Sequence, residues 1–378
     1  MKKILFIEDD PILGSVYETQ LKKAGYHTTL ARDGEAGLSA LQRGIPDLVV
    51  LDVNLPKISG IELLKILNTT DGLRDIPVIV FTNAFQQDVL AQVKLQNPKR
   101  ILPKSRYVPR EVLQIIRELL NDGPTESPDL ADEQPSFGRG ESTASVVFQK
   151  RLPGLLEECR RMLHEANKQT TPDARSNRLR SLRELIHTLS GGATAAGRKM
   201  QAYFCEALEA FVSEVVADPV KLSGTCLRTI TQAVDFLFEE FNSGKPNETP
   251  AGLNFNVLAV DDDAISRRAI CVALGRINQK AIEAKSVMEA LQKTRQQKFD
   301  LIFLDVDMPE MNGFELCTEI RKTELNKTAP IIFVTGMTDL QSRANSMLSG
   351  GTDFIGKPFQ FMELAVKSLI HLLRSKLR

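Results

Sequence analysis

One short pattern occurs twice in the chain, each time with the same polar residues around it. VLDVNLPKISG at 50–60 matches FLDVDMPEMNG at 303–313. Asp9-Asp10 pairs with Asp262-Asp263, IVFTNA at 79–84 with IFVTGM at 332–337, and Lys104 with Lys357. Every pair is separated by 253 positions. A constant offset across so long a span leaves no net insertion between the motifs, so the chain holds two copies of one fold.

Each copy alternates short apolar runs with helix-length segments. The runs are 4–7, 27–31, 48–51, 78–81 and 100–103 in the first copy, and 257–260, 281–284, 301–304, 331–334 and 353–356 in the second. Several are apolar throughout, as expected of strands covered on both faces. Helices are expected over 11–25, 34–44, 59–70, 86–96 and 109–120. Strand–helix alternation predicts an α/β, doubly wound, parallel five-stranded sheet, with ligands at the carboxyl ends of the strands.

The remainder of the 378 residues sorts by charge. Residues 122–137 hold five acids and no base, with Pro, Ser and Gly among them, which predicts a flexible acidic linker over 122–142. A second linker is expected over 243–252. The expected order is therefore a first α/β domain over 1–121, a helical domain over 143–242, and a second α/β domain over 253–378. Segments 1–121, 138–245 and 253–378 are each net +2, and the whole chain sums to zero, which argues against a nucleic-acid partner. No apolar run is long enough for a membrane span. The five cysteines form no C-x-x-C pair, so a reducing, cytoplasmic location is expected.

Polar residues cluster at the expected strand ends. The first strands end in Glu8-Asp9 and Asp261-Asp262, the third in Asp52 and Asp305, the fourth in Thr82 and Thr335, the fifth at Lys104 and Lys357. Converging carboxylates repel unless a hard cation neutralises them, and Mg²⁺ takes few carboxylates plus water and phosphate oxygens. A lysine and a hydroxyl facing the same spot suit a phosphoryl oxygen. The pattern points to an aspartyl-phosphate site that uses Mg²⁺.

With D-x-x-x-P-x-x-x-G at 52–60 and 305–313, the acidic pair, the Thr and the Lys, both copies resemble the receiver domain of two-component response regulators, a flavodoxin-like fold. The resemblance implies that Asp52 and Asp305 accept phosphoryl groups. It implies that Glu8, Asp9, Asp261 and Asp262 hold Mg²⁺, with the backbone carbonyls of Asn54 and Asp307 completing the shell. Thr82 and Thr335 would bind a phosphoryl oxygen and move on activation, and Lys104 and Lys357 would pair with the phosphoryl group. The copies differ. Lys357 is followed by Pro358, as in the family, where a cis peptide is favoured; Lys104 is followed by Ser105. The family's switch aromatic is Phe354 in the second copy and Ile101 in the first. The two aspartyl phosphates are expected to decay at different rates, since Asn54 and Asp307, and Ala84 and Met337, differ where water would approach.

The middle piece has helical periodicity, with helices expected over about 143–166, 173–190, 198–217 and 219–241 and a break near 191–197. Such helices with short loops make a four-helix bundle. In LIHTLSGGATAAG, 185–197, Leu185, Ile186 and Leu189 face the core and His187 projects outward, with Gly191 one turn below it. An exposed imidazole can take up and release a phosphoryl group. The stretch resembles the histidine phosphotransfer (HPt) domain, whose H-x-L-K-G motif is matched by His187, Leu189 and Gly191. Ser190 stands where that family has Lys, and Arg183, one turn away, is a candidate substitute.

The expected function is phosphorelay signalling. The Mg²⁺-assisted phosphoryl groups sit on Asp52 and Asp305, and His187 exchanges phosphate with these or with other receivers. The expected upstream partners are a sensor histidine kinase or phosphotransfer proteins. The chain is read as a phosphoacceptor rather than an enzyme. No Gly-rich ATP site and no helix-turn-helix accompany it. The alternative is a phosphorylation-gated binding scaffold with an inert helical domain.

Overall fold

Short segments of four or five residues, most of them mainly apolar, form ten strands among the described residues. In the computed structural model, which describes residues 1–82, 87–107, 109–121, 143–169, 171–242, 254–336 and 349–377, these make two five-stranded sheets. The expected linkers 122–142 and 243–252, and the positions Ala84 and Met337, lie outside the described residues. The first sheet holds β1 (Lys3–Ile7), β2 (His27–Ala31), β3 (Leu48–Asp52), β4 (Val78–Thr82) and β5 (Arg100–Pro103). The second holds β6 (Val257–Val260), β7 (Ala281–Ala284), β8 (Leu301–Asp305), β9 (Ile331–Thr335) and β10 (Asp353–Gly356). Their orders, β2-β1-β3-β4-β5 and β7-β6-β8-β9-β10, are the same order, and every pair is parallel. The central strands β3, β4, β8 and β9 are buried along their whole length, as continuous apolar runs require.

In the first copy the connecting helices are α1 (Pro11–Lys23), α2 (Gly34–Arg43), α3 (Gly60–Thr69), α4 (Gln87–Leu95) and α5 (Pro109–Leu119). Then come α6 (Thr143–Lys168), α7 (Pro172–Ala195), α8 (Lys199–Ala217) and α9 (Gly224–Asn242). The second copy adds α10 (Ala264–Arg276), α11 (Val287–Gln296), α12 (Gly313–Arg321) and α13 (Phe361–Leu377). Two compact units result. Among the described residues, one contains the first sheet with 143–160 and 182–206; the other contains the second sheet with 161–169, 171–181 and 207–242.

Local chemistry sets the helix starts. Asp10 caps α1, its Oδ1 accepting from the backbone N–H of Ile12 and Leu13 at 2.8 Å each. Asp263 caps α10 through Ile265 and Ser266. The third acid of each copy is thus engaged at a helix N-terminus, where a carboxylate is favoured. Ser59–Glu62 and Asn312–Glu315 form capping boxes that start α3 and α12. The fixed glycine of the repeated motif has a steric cause. A Cβ on Gly60 or Gly313 would run into the backbone carbonyl of Asp52 or Asp305.

One expectation of the sequence shifts. The helix through His187, expected to end at 190 with a break near 191–197, continues to Ala195, and the turn falls at Gly197, where φ is +72°. Leu185 is half-buried, whereas Ile186 and Leu189 are fully buried as expected.

Candidate functional site

The parallel order brings the ends of β1, β3, β4 and β5 to one edge. There Lys104 Nζ lies 2.8 Å from Glu8 Oε1 and 3.0 Å from Asp52 Oδ2. Asp52 Oδ1 accepts from the backbone N–H of Val53 at 2.6 Å and of Asn54 at 3.3 Å. Thr82 is fully buried at the end of β4, and its hydroxyl has no hydrogen-bond partner. The second copy repeats the arrangement. Lys357 Nζ sits 2.9 Å from Asp261 Oδ2 and 2.8 Å from Asp305 Oδ1, with Thr335 buried at the end of β9. Asn54 is half-buried, and Asp262 and Asp307 are exposed.

Electrostatics mark both pockets as short of positive charge. Burial pushes the Glu8 carboxyl up to about 8 despite Lys104, and Asp52 and Asp10 push the same way. Burial alone would pull Lys104 down, but Asp52 and Glu8 outweigh it and hold its pKa well above the usual range. Burial also raises Asp261, with Asp305 adding to it. Two ligand clusters of oxygen-rich character result: Asp261, Asp262 and Asp305 in the second copy, and Glu8, Asp9 and His187 in the first. Glu8 Oε2 and Asp9 Oδ1 are buried with no hydrogen-bond partner. These carboxylates suit a hard divalent cation, the all-carboxylate set of the second copy most directly.

Among the described residues, the first pocket carries one feature that the second lacks. His187 of α7 reaches it, with Nε2 3.6 Å from Asp9 Oδ1. That is longer than an ordinary hydrogen bond. Burial would raise the Asp9 carboxyl, but His187 and then Lys104 hold it below the usual carboxylate range. Gly191 lets the helix approach: any Cβ there would meet the Asp10 carboxylate. Gly192, its neighbour, packs against Phe148 of α6 in the same way. Ala195 completes the seam by joining the core around Leu13, Tyr17 and Ile116.

The response regulator receiver domain family matches residues 4–117 and 257–368, about three-fifths of the chain. The chain belongs to that family. The two copies are therefore receiver 1 and receiver 2. Among curated proteins, the chain is similar to the transcriptional regulatory protein ResD of Bacillus subtilis (strain 168), with 38% identity over 116 residues, covering 30% of this chain and 47% of ResD. It is also similar to the sensor histidine kinase CheAY of Helicobacter pylori (strain ATCC 700392 / 26695), with 30% identity over 149 residues, covering 38% of this chain and 18% of that protein. The chain thus spans about half or less of the length of these relatives. Among solved structures, Vibrio cholerae chemotaxis protein CheY4 matches with 32% identity, covering 32% of this chain and 99% of CheY4, at a TM-score of 0.30.

The sequence did not single out what surrounds receiver 2. The switch-position aromatic Phe354 is buried, and the Arg228 guanidinium of α9 lies 4.9 Å from its ring centre. Behind it, Asp353 Oδ2 is contacted by Lys367, His371 and Gln232. The peptide bond between Lys357 and Pro358 is cis, as the family resemblance implied. No helix among the described residues is long and apolar enough to cross a membrane.

Proposed function

We propose that the chain is a phosphorelay protein in which His187 exchanges a phosphoryl group with Asp52, while receiver 2 carries a second phosphoacceptor at Asp305. The observation that supports this best is the placement of His187 Nε2 3.6 Å from Asp9, at the mouth of the receiver 1 pocket. The helices α6 to α9 are read as a four-helix HPt bundle, with Ser190 buried at the position of the family's lysine. Mg²⁺, held by Glu8, Asp9, Asp52 and the Asn54 carbonyl in receiver 1, and by Asp261, Asp262, Asp305 and the Asp307 carbonyl in receiver 2, would offset phosphoryl charge.

The residues of the chain do the rest. Lys104 and Lys357 lie against the acceptor carboxylates and neutralise the transferring oxygens. Thr82, whose hydroxyl is unpaired, is available to donate to a phosphoryl oxygen, and Thr335 stands at the matching place. In the step from histidine to aspartate, an Asp52 oxygen forms a bond to phosphorus as the N–P bond breaks. The bonding electrons return to the ring nitrogen, and the proton on the other nitrogen leaves the imidazole neutral. No water is consumed. Catalysis here is alignment and charge compensation. On this reading the chain is a phosphoacceptor rather than a turnover enzyme. Its partners are sensor histidine kinases, phosphotransfer proteins or other receivers, and its setting is the cytoplasm.

Phosphate trapping tests the proposal. The Asp52→Ala, Asp305→Ala double variant is incubated with a phosphorylated receiver domain. Acid-labile, base-stable label on His187 is expected. A folded protein without label would leave the chain as a phosphorylation-gated scaffold.

A further inference from the structure

Ser105 follows Lys104 directly, and its counterpart at the repeat offset is Pro358. Its backbone N–H donates to Glu206 Oε1 at 2.8 Å, and its hydroxyl donates to Glu206 Oε2 at 2.8 Å. Glu206 lies on α8, and both residues are 1% exposed. A carboxylate is buried at this depth only when its oxygens are hydrogen-bonded, and here Ser105 supplies a donor to each. Proline has neither donor. Pro358 therefore cannot offer Glu206 either contact.

A second mismatch lies beside the first. Lys199, at the start of α8, donates to Glu111 of α5 at 3.1 and 3.2 Å. The counterpart of Glu111 is Leu364, which is fully buried. The two receivers thus present different chemistry where α8 meets receiver 1: a hydroxyl, an amide and a carboxylate in one, a proline and a leucine in the other.

We propose that the Ser105–Glu206 pair is a specificity determinant that selects receiver 1, in preference to receiver 2, as the exchange partner of His187. The inference rests on the phosphotransfer reading and deepens it. The pair touches no reacting atom. It is a positioning device, fixing α8 against the loop that carries Lys104, and with it the imidazole over the Asp52 pocket. Discrimination comes from the two hydrogen bonds to the buried Glu206 carboxylate that Ser105 makes and a proline at its position could not. Phosphoryl transfer itself is unchanged: the Asp52 O–P bond breaks as the His187 N–P bond forms, or the reverse.

The test compares the two possible sources of label on His187 in the full chain. With Mg²⁺ and radiolabelled acetyl phosphate, the Asp305→Ala chain can feed His187 only from Asp52, and the Asp52→Ala chain only from Asp305. Asp52-fed labelling is expected to be faster by roughly tenfold or more. Adding Ser105→Pro to the Asp305→Ala chain should bring that rate down to the Asp305-fed rate, while the Asp305-fed rate stays constant when Ser105→Pro is added to the Asp52→Ala chain. Glu206→Leu, which removes both acceptors of the Ser105 donors, should act in the same direction and decides the matter if Ser105→Pro does not fold. Acceptance of phosphate by Asp52 from acetyl phosphate should be unaffected by Glu206→Leu. Label on His187 at Asp52-fed rates equal to the parent in the folded variants overturns the specificity role alone. No label on His187 from either source in the parent chains overturns the phosphotransfer reading itself.

Discussion

The ammonium group of Lys367 lies 2.9 Å from Asp353 Oδ2, and both side chains are 1% exposed. His371 Nε2 approaches the same oxygen at 3.2 Å, and Gln232 of α9 bonds to both members of the pair. Removing one partner of such a pair strands the other charge. Asp353→Ala should destabilise the second unit by about 3–5 kcal/mol, read as a lowered midpoint in urea denaturation.

The same group predicts an acid limit. Burial alone would raise the Asp353 carboxyl, but the hydrogen bond from His371 and the charge of Lys367 hold it well below the usual carboxylate range. A carboxylate with a depressed folded pKa stabilises fully above its unfolded value of about 3.9, and that contribution disappears as pH falls toward the folded value. Melting temperature below pH 4 should therefore fall more steeply for the wild-type chain than for Asp353→Asn. Parallel pH profiles would contradict this.

Metal removal should silence both receivers. In receiver 1 Glu8 and Asp52 share Lys104, with Asp9 clustered beside Glu8, and in receiver 2 Asp261 and Asp305 share Lys357, with Asp262 clustered beside them, so each pocket has more carboxylates than its lysine can offset. Chelation with EDTA is expected to abolish labelling of Asp52 and Asp305 by acetyl phosphate, and added Mg²⁺ to restore it. Asp262→Asn should raise the Mg²⁺ concentration needed at Asp305 without moving that at Asp52.

The two aspartyl phosphates should decay at different rates. The Lys104 side chain is 8% exposed and that of Lys357 is 26% exposed, so water reaches the second pocket more easily. With His187→Gln closing the exit to the imidazole, label on Asp52 should outlast label on Asp305. Equal half-lives in the full chain would refute the shielding argument.

Helix approach at Gly191 should be sensitive to a single methyl group. A Cβ at Gly191 meets the Asp10 carboxylate, so Gly191→Ala must push α7 away from the pocket. Alanine favours the helix by up to about 1 kcal/mol, so helicity should hold or rise. Labelling of His187 from Asp52 should nevertheless drop roughly tenfold, as expected when a near-attack geometry is lost. Unchanged transfer with Gly191→Ala would show that the close contact is not needed.

Much of this was legible from residue order. The uninterrupted apolar runs of β3, β4, β8 and β9, and the polar residues that follow them, announce covered strands with a site at their ends. The constant offset carried Asp52, Thr82 and Lys104 onto Asp305, Thr335 and Lys357 before any geometry was known. Contacts between elements distant in sequence were not legible. Glu206 lies 101 residues from Ser105, and nothing in the helical period of α8 distinguishes it from a solvated glutamate. The signal that could have found it is the Ser105 departure from proline, which is unexplained until its donors are given an acceptor. The break expected near 191–197 falls at the far end of that span, at Gly197, and leaves the paired glycines Gly191 and Gly192 inside the helix. Here they are helix positions pressed against Asp10 and Phe148.

α5 and α13 occupy the same place in the two receivers, yet only α5 keeps a wet side, at Arg110, Glu111, Gln114 and Glu118. In α13 every described residue from Met362 to Leu373 is buried, between α10 and the apolar face of α9 that carries Ile230, Ala233 and Leu237. Receiver domains are commonly thought of as interchangeable parts. Receiver 2 is not one: cut out at its own boundaries, it would lose the α9 partners of Glu363, Lys367 and Arg374 and open that side of α13 to water. Its smallest transferable form carries α9 with it, so that in any recombined gene the last receiver and the helix before it must be inherited together.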